Sequence, residues 1–115
     1  MDATSEEDLG KLVQATIAHY GGLNILHNNV GASVGAQDKN PLEMTEEAFD
    51  RVVAINIRGV FLGMKYGITS MLKTGGGAIV NIASNVGLVG MKGHSVYAAA
   101  KAGVIQMTKI AALDY

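Results

Sequence analysis

The stretch Gly75–Ser84, "GGGAIVNIAS", sets three glycines in front of a run of small and β-branched residues with no charge among them. Glycine can adopt backbone angles closed to other residues, so the triplet stops whatever helix precedes it. The residues after it, Ala78–Ser84, have the length and the β-branched character of a strand. The fold follows from what lies on either side.

Upstream, Thr45 with Glu46 and Glu47 has the composition of a helix start, its acids suited to the positive end of the helix dipole. An apolar pattern then runs through Phe49, Val52, Val53, Ile55, Ile57, Val60, Phe61, Met64 and Ile68 to about Lys73, and predicts one long helix. Downstream, a glycine-punctuated loop (Asn85–His94) leads into a third helix from about Ser95 to the end. Nearer the start, Thr4-Ser5-Glu6-Glu7 reads as a capping box with Thr4 as the cap. Leu9, Leu12, Val13 and Ile17 recur at helical spacing, and Gly21-Gly22 ends that helix. "LNILH" (Leu23–His27) is a second strand-length segment, followed by "NNVG" (Asn28–Gly31) and a stretch of loop composition from Ala32 to Leu42. The order α-β-α-β-α predicts an α/β fold with a parallel sheet covered by helices.

At 115 residues the chain holds at most one domain, 1–115. Apolar residues make up 49%, charged residues 17%, and the formal net charge is −1. No basic stripe is present to neutralise phosphates, so no nucleic-acid partner is expected. There are no cysteines, which excludes disulfides and thiolate metal sites, and no metal is expected. No apolar run approaches the ~20 residues of a membrane span, and the acidic opening "MDATSEEDLG" is unlike a secretory leader; the expected location is cytoplasmic.

Several residues stand out chemically. Gly59, Gly63 and Gly67 recur every four positions in the long helix. Each costs roughly 1 kcal/mol relative to Ala, so the face they share is expected to pack closely on a sheet or another helix, chance in a glycine-rich chain being the plain alternative. Asn56 interrupts the same helix with an amide that competes for backbone hydrogen bonds; it is either a satisfied structural Asn or a functional one. Ser84 ends its strand, and Asn28-Asn29-Val30-Gly31 ends the other, at the carboxyl edge where ligands bind in open parallel sheets. Tyr97 and Lys101 are four apart, hence on one helix face, roughly 6 Å apart at Cβ. A phenol titrates near pH ~10, and an adjacent ammonium draws it towards the range useful for general acid–base chemistry. A half-buried Tyr beside a solvated Lys would give the same spacing.

Taken in order, "DAT" (Asp2–Thr4), "NNVG", "INIRGVFLG", "GGGAIVNIAS" and "YAAAK" resemble the short-chain dehydrogenase/reductase family over essentially the whole chain. The resemblance implies a Rossmann-like, doubly wound parallel sheet and a nicotinamide cofactor, NAD or NADP, with an alcohol or ketone substrate. It implies that Tyr97 is the catalytic acid/base and that Lys101 lowers its pKa and bonds the nicotinamide ribose. Ser84 would hold and polarise the substrate oxygen, and Asn56 would keep a water that links Lys101 to a proton relay. Asp2 and Ala3 would contact adenine, and Asn29, Val30 and Gly31 the adenosine side of the cofactor. The family's long helices imply a homo-oligomer, a dimer or tetramer, in the full-length protein. Val86, Met91 and His94 fall where part of a substrate pocket is expected, though an isolated His there is equally a surface residue.

Val30 stands where Ala is usual in that family. The glycine-rich strand-to-helix turn of the family (T-G-x-x-x-G-x-G), which cradles pyrophosphate, is not found in these residues; "TGGG" at Thr74–Gly77 leads into a strand instead. The expectation is therefore the central part of a larger domain, inactive by itself, with a non-catalytic module that pairs with a full-length relative as the alternative. NAD versus NADP, the substrate and the direction of reaction are not encoded in these residues.

Overall fold

The structure is a computed structural model and describes residues 1–33 and 38–115. Helix α1 spans Glu6–Tyr20, strand β1 Ile25–Asn28, helix α2 Glu46–Val53, helix α3 Gly59–Met71, strand β2 Ala78–Asn81 and helix α4 Ser95–Asp114. Between α2 and α3 lies a π-helical segment, Ala54–Arg58, and a single 3₁₀ turn, Asn85–Gly87, follows β2. The order α-β-α-β-α is as expected. In the stretch 32–42, residues 34–37 lie outside the described residues, and 38–42 carry neither helix nor strand.

β1 and β2 pair in parallel, Ile25 opposite Ala78 and Asn28 opposite Asn81. The register is marked by side chains as well as backbone, since Asn28 Nδ2 donates to Asn81 Oδ1 at 2.8 Å. Asn81 Nδ2 passes the chain on to Thr108 Oγ1 of α4 at 2.9 Å. One face of the sheet is covered: Leu26 and Ile79 pack on two apolar clusters, one around Val13, Leu23 and Met71, the other around Val60, Met64 and Val104. Ile25, His27, Ala78 and Val80 point the other way and are exposed. The sheet is thus covered on one side among the described residues.

Helix starts and stops follow the local chemistry with one shift. The cap of α1 is Ser5, whose hydroxyl accepts from the Asp8 N–H at 3.2 Å, and not Thr4. Thr4 is taken by a tighter turn, donating its N–H and its hydroxyl to Asp2 Oδ1 at 2.8 Å each. Gly21 closes α1 at φ 82°, and Thr45 caps α2 through the Ala48 N–H. Gly75 and Gly76, at φ 95° and 107°, make the turn that ends α3.

The expected single long helix is broken in register by the π segment. Asn56 Nδ2 donates to the Val52 carbonyl at 3.0 Å, the oxygen that the Asn56 N–H would use in an α-helix. The helix widens there, and the Gly59 N–H reaches back five residues to the Ala54 carbonyl. The glycine stripe behaves as expected. A Cβ on Gly59 would lie 2.9 Å from the Ala3 carbonyl oxygen, one on Gly63 would overlap the Asn28 amide, and one on Gly67 would lie 2.6 Å from Leu26 Cδ2. This face is where β1 and the start of the chain rest on α3.

Candidate active site

Lys101 is the centre of the site. It sits on α4 one turn after Tyr97, only 2% exposed, and donates from Nζ to the Ile82 carbonyl just beyond β2 at 2.9 Å. Burial pushes its pKa below the usual lysine range. The helix is held closely on both sides at this point. A Cβ on Gly87 would fall 2.8 Å from the Lys101 carbonyl carbon, and one on Gly103 would fall 2.6 Å from Ile57 Cδ1.

Tyr97 lies in the first turn of α4, partly buried, with its ring centroid 5.7 Å from Lys101 Nζ. On its other side the His94 ring stands edge-on, 6.3 Å between centroids. The start of α4 is tied down by Ser95, whose hydroxyl donates to the Lys39 carbonyl at 2.5 Å. Among the described residues the Tyr97 hydroxyl makes no hydrogen bond. A phenol beside a buried ammonium, with its oxygen not engaged by the protein, is equipped to exchange a proton with something that binds.

Asn56 is fully buried in the π segment. Its Nδ2 donates to the Ala32 carbonyl at 2.7 Å as well as to Val52, and its Oδ1 accepts from the Ala32 N–H at 3.1 Å. The amide therefore clamps the chain just past Gly31, and its oxygen retains a second lone pair. Gly31 completes the group, since a Cβ there would lie 2.9 Å from Lys101 Nζ and 3.0 Å from Asn56 Oδ1. Ser84, two residues beyond the carbonyl that holds Lys101, is partly buried; its hydroxyl donates to Asn85 Oδ1 at 3.2 Å and accepts from the Val86 N–H at 3.4 Å. It hydrogen-bonds neither Tyr97 nor Lys101.

The residues expected on the adenosine side divide. Ala3, Asn29 and Val30 line one cavity of about 100 Å³ with Leu9, Gly59 and Gly63. Asp2 spends its carboxylate on its own turn, and the Thr4 backbone N–H, then the Thr4 hydroxyl, hold that carboxyl below its ordinary value. Gly31 faces Lys101 and Asn56 rather than this cavity. Two larger grooves, about 630 and 320 Å³, run between α3 and α4 and include none of the candidate residues.

The family profile described as short chain dehydrogenase matches residues 1–115. The chain belongs to the short-chain dehydrogenase family. Among relatives, it is 41% identical over 115 residues to a 2-(R)-hydroxypropyl-CoM dehydrogenase of Xanthobacter autotrophicus, covering 99% of this chain and 46% of that protein. It is 39% identical over 109 residues to a cyclohexanol dehydrogenase of an Acinetobacter species, covering 95% and 43%. The crystal structure of a levodione reductase overlays with a TM-score of 0.90 at 39% identity, over 99% of this chain and 43% of that one. ElxO with NADP bound overlays at 0.92 with 35% identity, over 99% and 45%. The chain thus spans somewhat less than half the length of the relatives it matches, and its α/β layers are one part of their larger sheet fold.

In this member of the family, two contributors to the candidate site are not legible in the sequence: the Ile82 carbonyl that anchors Lys101, and the bare Cα of Gly31 against it. The first is a backbone atom and leaves no trace in residue type. The π widening did leave one, an amide in the middle of an apolar helix, because such bulges arise where a side chain enters the backbone ladder.

Proposed function

We propose that the protein is an NAD(P)-dependent oxidoreductase that moves a hydride between the nicotinamide and an alcohol or ketone carbon. The observation that carries this reading is the buried Lys101 ammonium, fixed by the Ile82 carbonyl and 5.7 Å from the Tyr97 ring. The residues present suit part of such a cofactor. Asn29, Val30 and Gly31 are exposed just beyond β1, next to the cavity that Ala3 lines, and a lysine ammonium has three donors of which the Ile82 carbonyl takes one. The bound nicotinamide supplies the hydride acceptor or donor.

The chain's own residues handle the proton. In oxidation of an alcohol, Tyr97 as phenolate takes the hydroxyl proton while the carbon loses its hydride; in reduction, the neutral phenol returns a proton to the forming alkoxide. Lys101 favours the phenolate by charge and offers its remaining N–H groups to the ribose. Ser84 donates to the substrate oxygen in place of Asn85, and the second lone pair of Asn56 Oδ1 holds a water that links Lys101 to solvent. Residues 1–115 act as the central part of one cytoplasmic NAD(P)-binding domain that works as a homo-oligomer.

In the full-length protein, Tyr97→Phe should lower NAD(P)H-coupled turnover by ~10²-fold or more, the usual contribution of a positioned acid/base. Turnover at the parent rate would refute the role. A second reading, a non-catalytic module that pairs with a full-length relative, is favoured by exposed Phe61, Leu72 and Ile110 beside the 630 Å³ groove of α3 and α4. Native mass spectrometry of the chain with such a relative tests it; the absence of a hetero-oligomer would count against it.

A further inference from the structure

Four glycines of the described chain need their backbone freedom: Gly21, Gly75, Gly76 and Gly93 have positive φ. Gly31 is not one of them, so its conformation does not call for glycine. Space does. A Cβ at residue 31 would lie 2.9 Å from Lys101 Nζ, 3.0 Å from Asn56 Oδ1 and 3.7 Å from Lys101 Cε.

The two polar neighbours differ in their ability to retreat. Asn56 is wholly buried and bound through three hydrogen bonds, to the Ala32 carbonyl, the Ala32 N–H and the Val52 carbonyl. Lys101 Nζ is the end of a flexible stem with one hydrogen bond, to the Ile82 carbonyl. A methyl at 31 would therefore displace the ammonium first. The wall and the anchor also belong to one register. Asn28, three residues before Gly31, pairs with Asn81 by backbone position and by side-chain amide, and the Ile82 N–H donates to the Asn28 carbonyl at 3.0 Å. The peptide that follows is the one whose carbonyl holds Lys101.

We infer that Gly31 is a positioning residue: its bare Cα is the wall that sets the Lys101 ammonium beside Tyr97. This rests on the acid–base reading of Tyr97 and Lys101 above. Gly31 itself touches no reacting atom in this scheme and acts through the lysine.

The test is Gly31→Ala in the full-length protein, with alcohol oxidation followed across pH. Moving the ammonium away makes the phenolate harder to form, so the acidic limb of the kcat profile should move up by about one pH unit, a ~tenfold loss of kcat on that limb. A double-mutant cycle gives a readout that does not depend on turnover. If the methyl clashes with the lysine, Gly31→Ala should lower the melting temperature more in the parent than in a Lys101→Ala background, where only the 3.0 Å approach to Asn56 Oδ1 remains. Should Gly31→Ala alone fail to fold, recovery of folding in the double variant supports the proposal and failure of the double variant overturns it. An unchanged pH profile in Gly31→Ala, with Tyr97→Phe still inactive, overturns this inference and leaves the proposed function standing. A fully active Tyr97→Phe removes the proposed function, and this inference with it.

Discussion

Lys101 carries a charge into a place where almost no water reaches it, and the consequence can be read against pH. Its folded pKa lies below the unfolded lysine value of about 10.4. At pH values below the folded pKa, both states hold the proton and the whole cost of burial is present. Between the two values the unfolded chain binds more protons than the folded one, so stability rises with pH, and above the unfolded value the electrostatic cost is gone. Lys101→Met has no such group. The melting temperature of the parent should therefore gain on that of the variant as pH rises through the folded pKa towards the unfolded value, measured by circular dichroism; parallel curves up to that value would contradict the burial. Asn56 makes the complementary case for a neutral group. Asn56→Ala abandons three hydrogen bonds, a loss of about 3 kcal/mol at ~1 kcal/mol each. Urea denaturation should show it, and a loss below ~1 kcal/mol would mean that the clamp is not structural. Tyr97, Lys101, Ser84 and Asn56 could be named from the sequence as candidates because residue type and spacing are visible there, and their roles came only with the family resemblance. The carbonyl of Ile82 and the empty side of Gly31 were not, since a backbone oxygen and a missing side chain acquire meaning only from what lies next to them.

At the scale of elements, the caps show what a short motif can and cannot fix. Both Thr4 and Ser5 are good cap residues, and Glu7 lies three after Thr4, the pattern expected of a box. The choice falls to Ser5 because Asp2 offers Thr4 a stronger acceptor, a carboxylate two residues back. Ser5→Ala should therefore destabilise α1 by about 1 kcal/mol, whereas Thr4→Ala, which disturbs an exposed turn, should cost less; equal losses in thermal melts would reverse the cap assignment. The glycine stripe was legible because its period matched a helix face. Its partner was legible only as a sheet or another helix, and proves to be β1 of the sheet together with the Ala3 peptide. Gly63→Ala must push the Asn28 amide out of its bond with Asn81, and is expected to cost ~1–3 kcal/mol, the range for overpacking. The strands are shorter than their composition suggested, four residues each. After Asn81 only one further ladder bond, Ile82 to Asn28, is made before the chain turns into the 3₁₀ segment that places Ser84.

The molecule as a whole is a slab, 48 × 28 × 16 Å, with a radius of gyration of 15.2 Å. A compact domain of similar length has about 13 Å. The accessible surface, 7092 Å² for 12.0 kDa, also exceeds the roughly 6,000 Å² expected of a globular monomer of that mass. Three features contribute to the excess: the bare sheet face of Ile25 and Val80, the edges left unpaired among the described residues by a two-stranded sheet, and the α3–α4 groove bordered by Phe61, Leu72, Ile110 and Tyr115. Alternation of element types conveyed the layer order because each element's own periodicity is local. What covers the second face of the sheet is a matter between distant segments, and none of the described residues supplies it. Exposed strand edges and apolar patches of this kind favour association. The 115-residue chain expressed alone should therefore sediment as concentration-dependent oligomers, bind an apolar dye, and melt broadly at low temperature. It should also take up NAD(P) far more weakly than a full-length relative, because under the proposed function the cavity at Ala3, Asn29 and Val30 and the donors of Lys101 would engage only the two ends of such a ligand. A monodisperse monomer with a sharp transition, or micromolar dinucleotide binding by calorimetry, would show instead that the slab is self-sufficient and that the bare sheet face needs no cover.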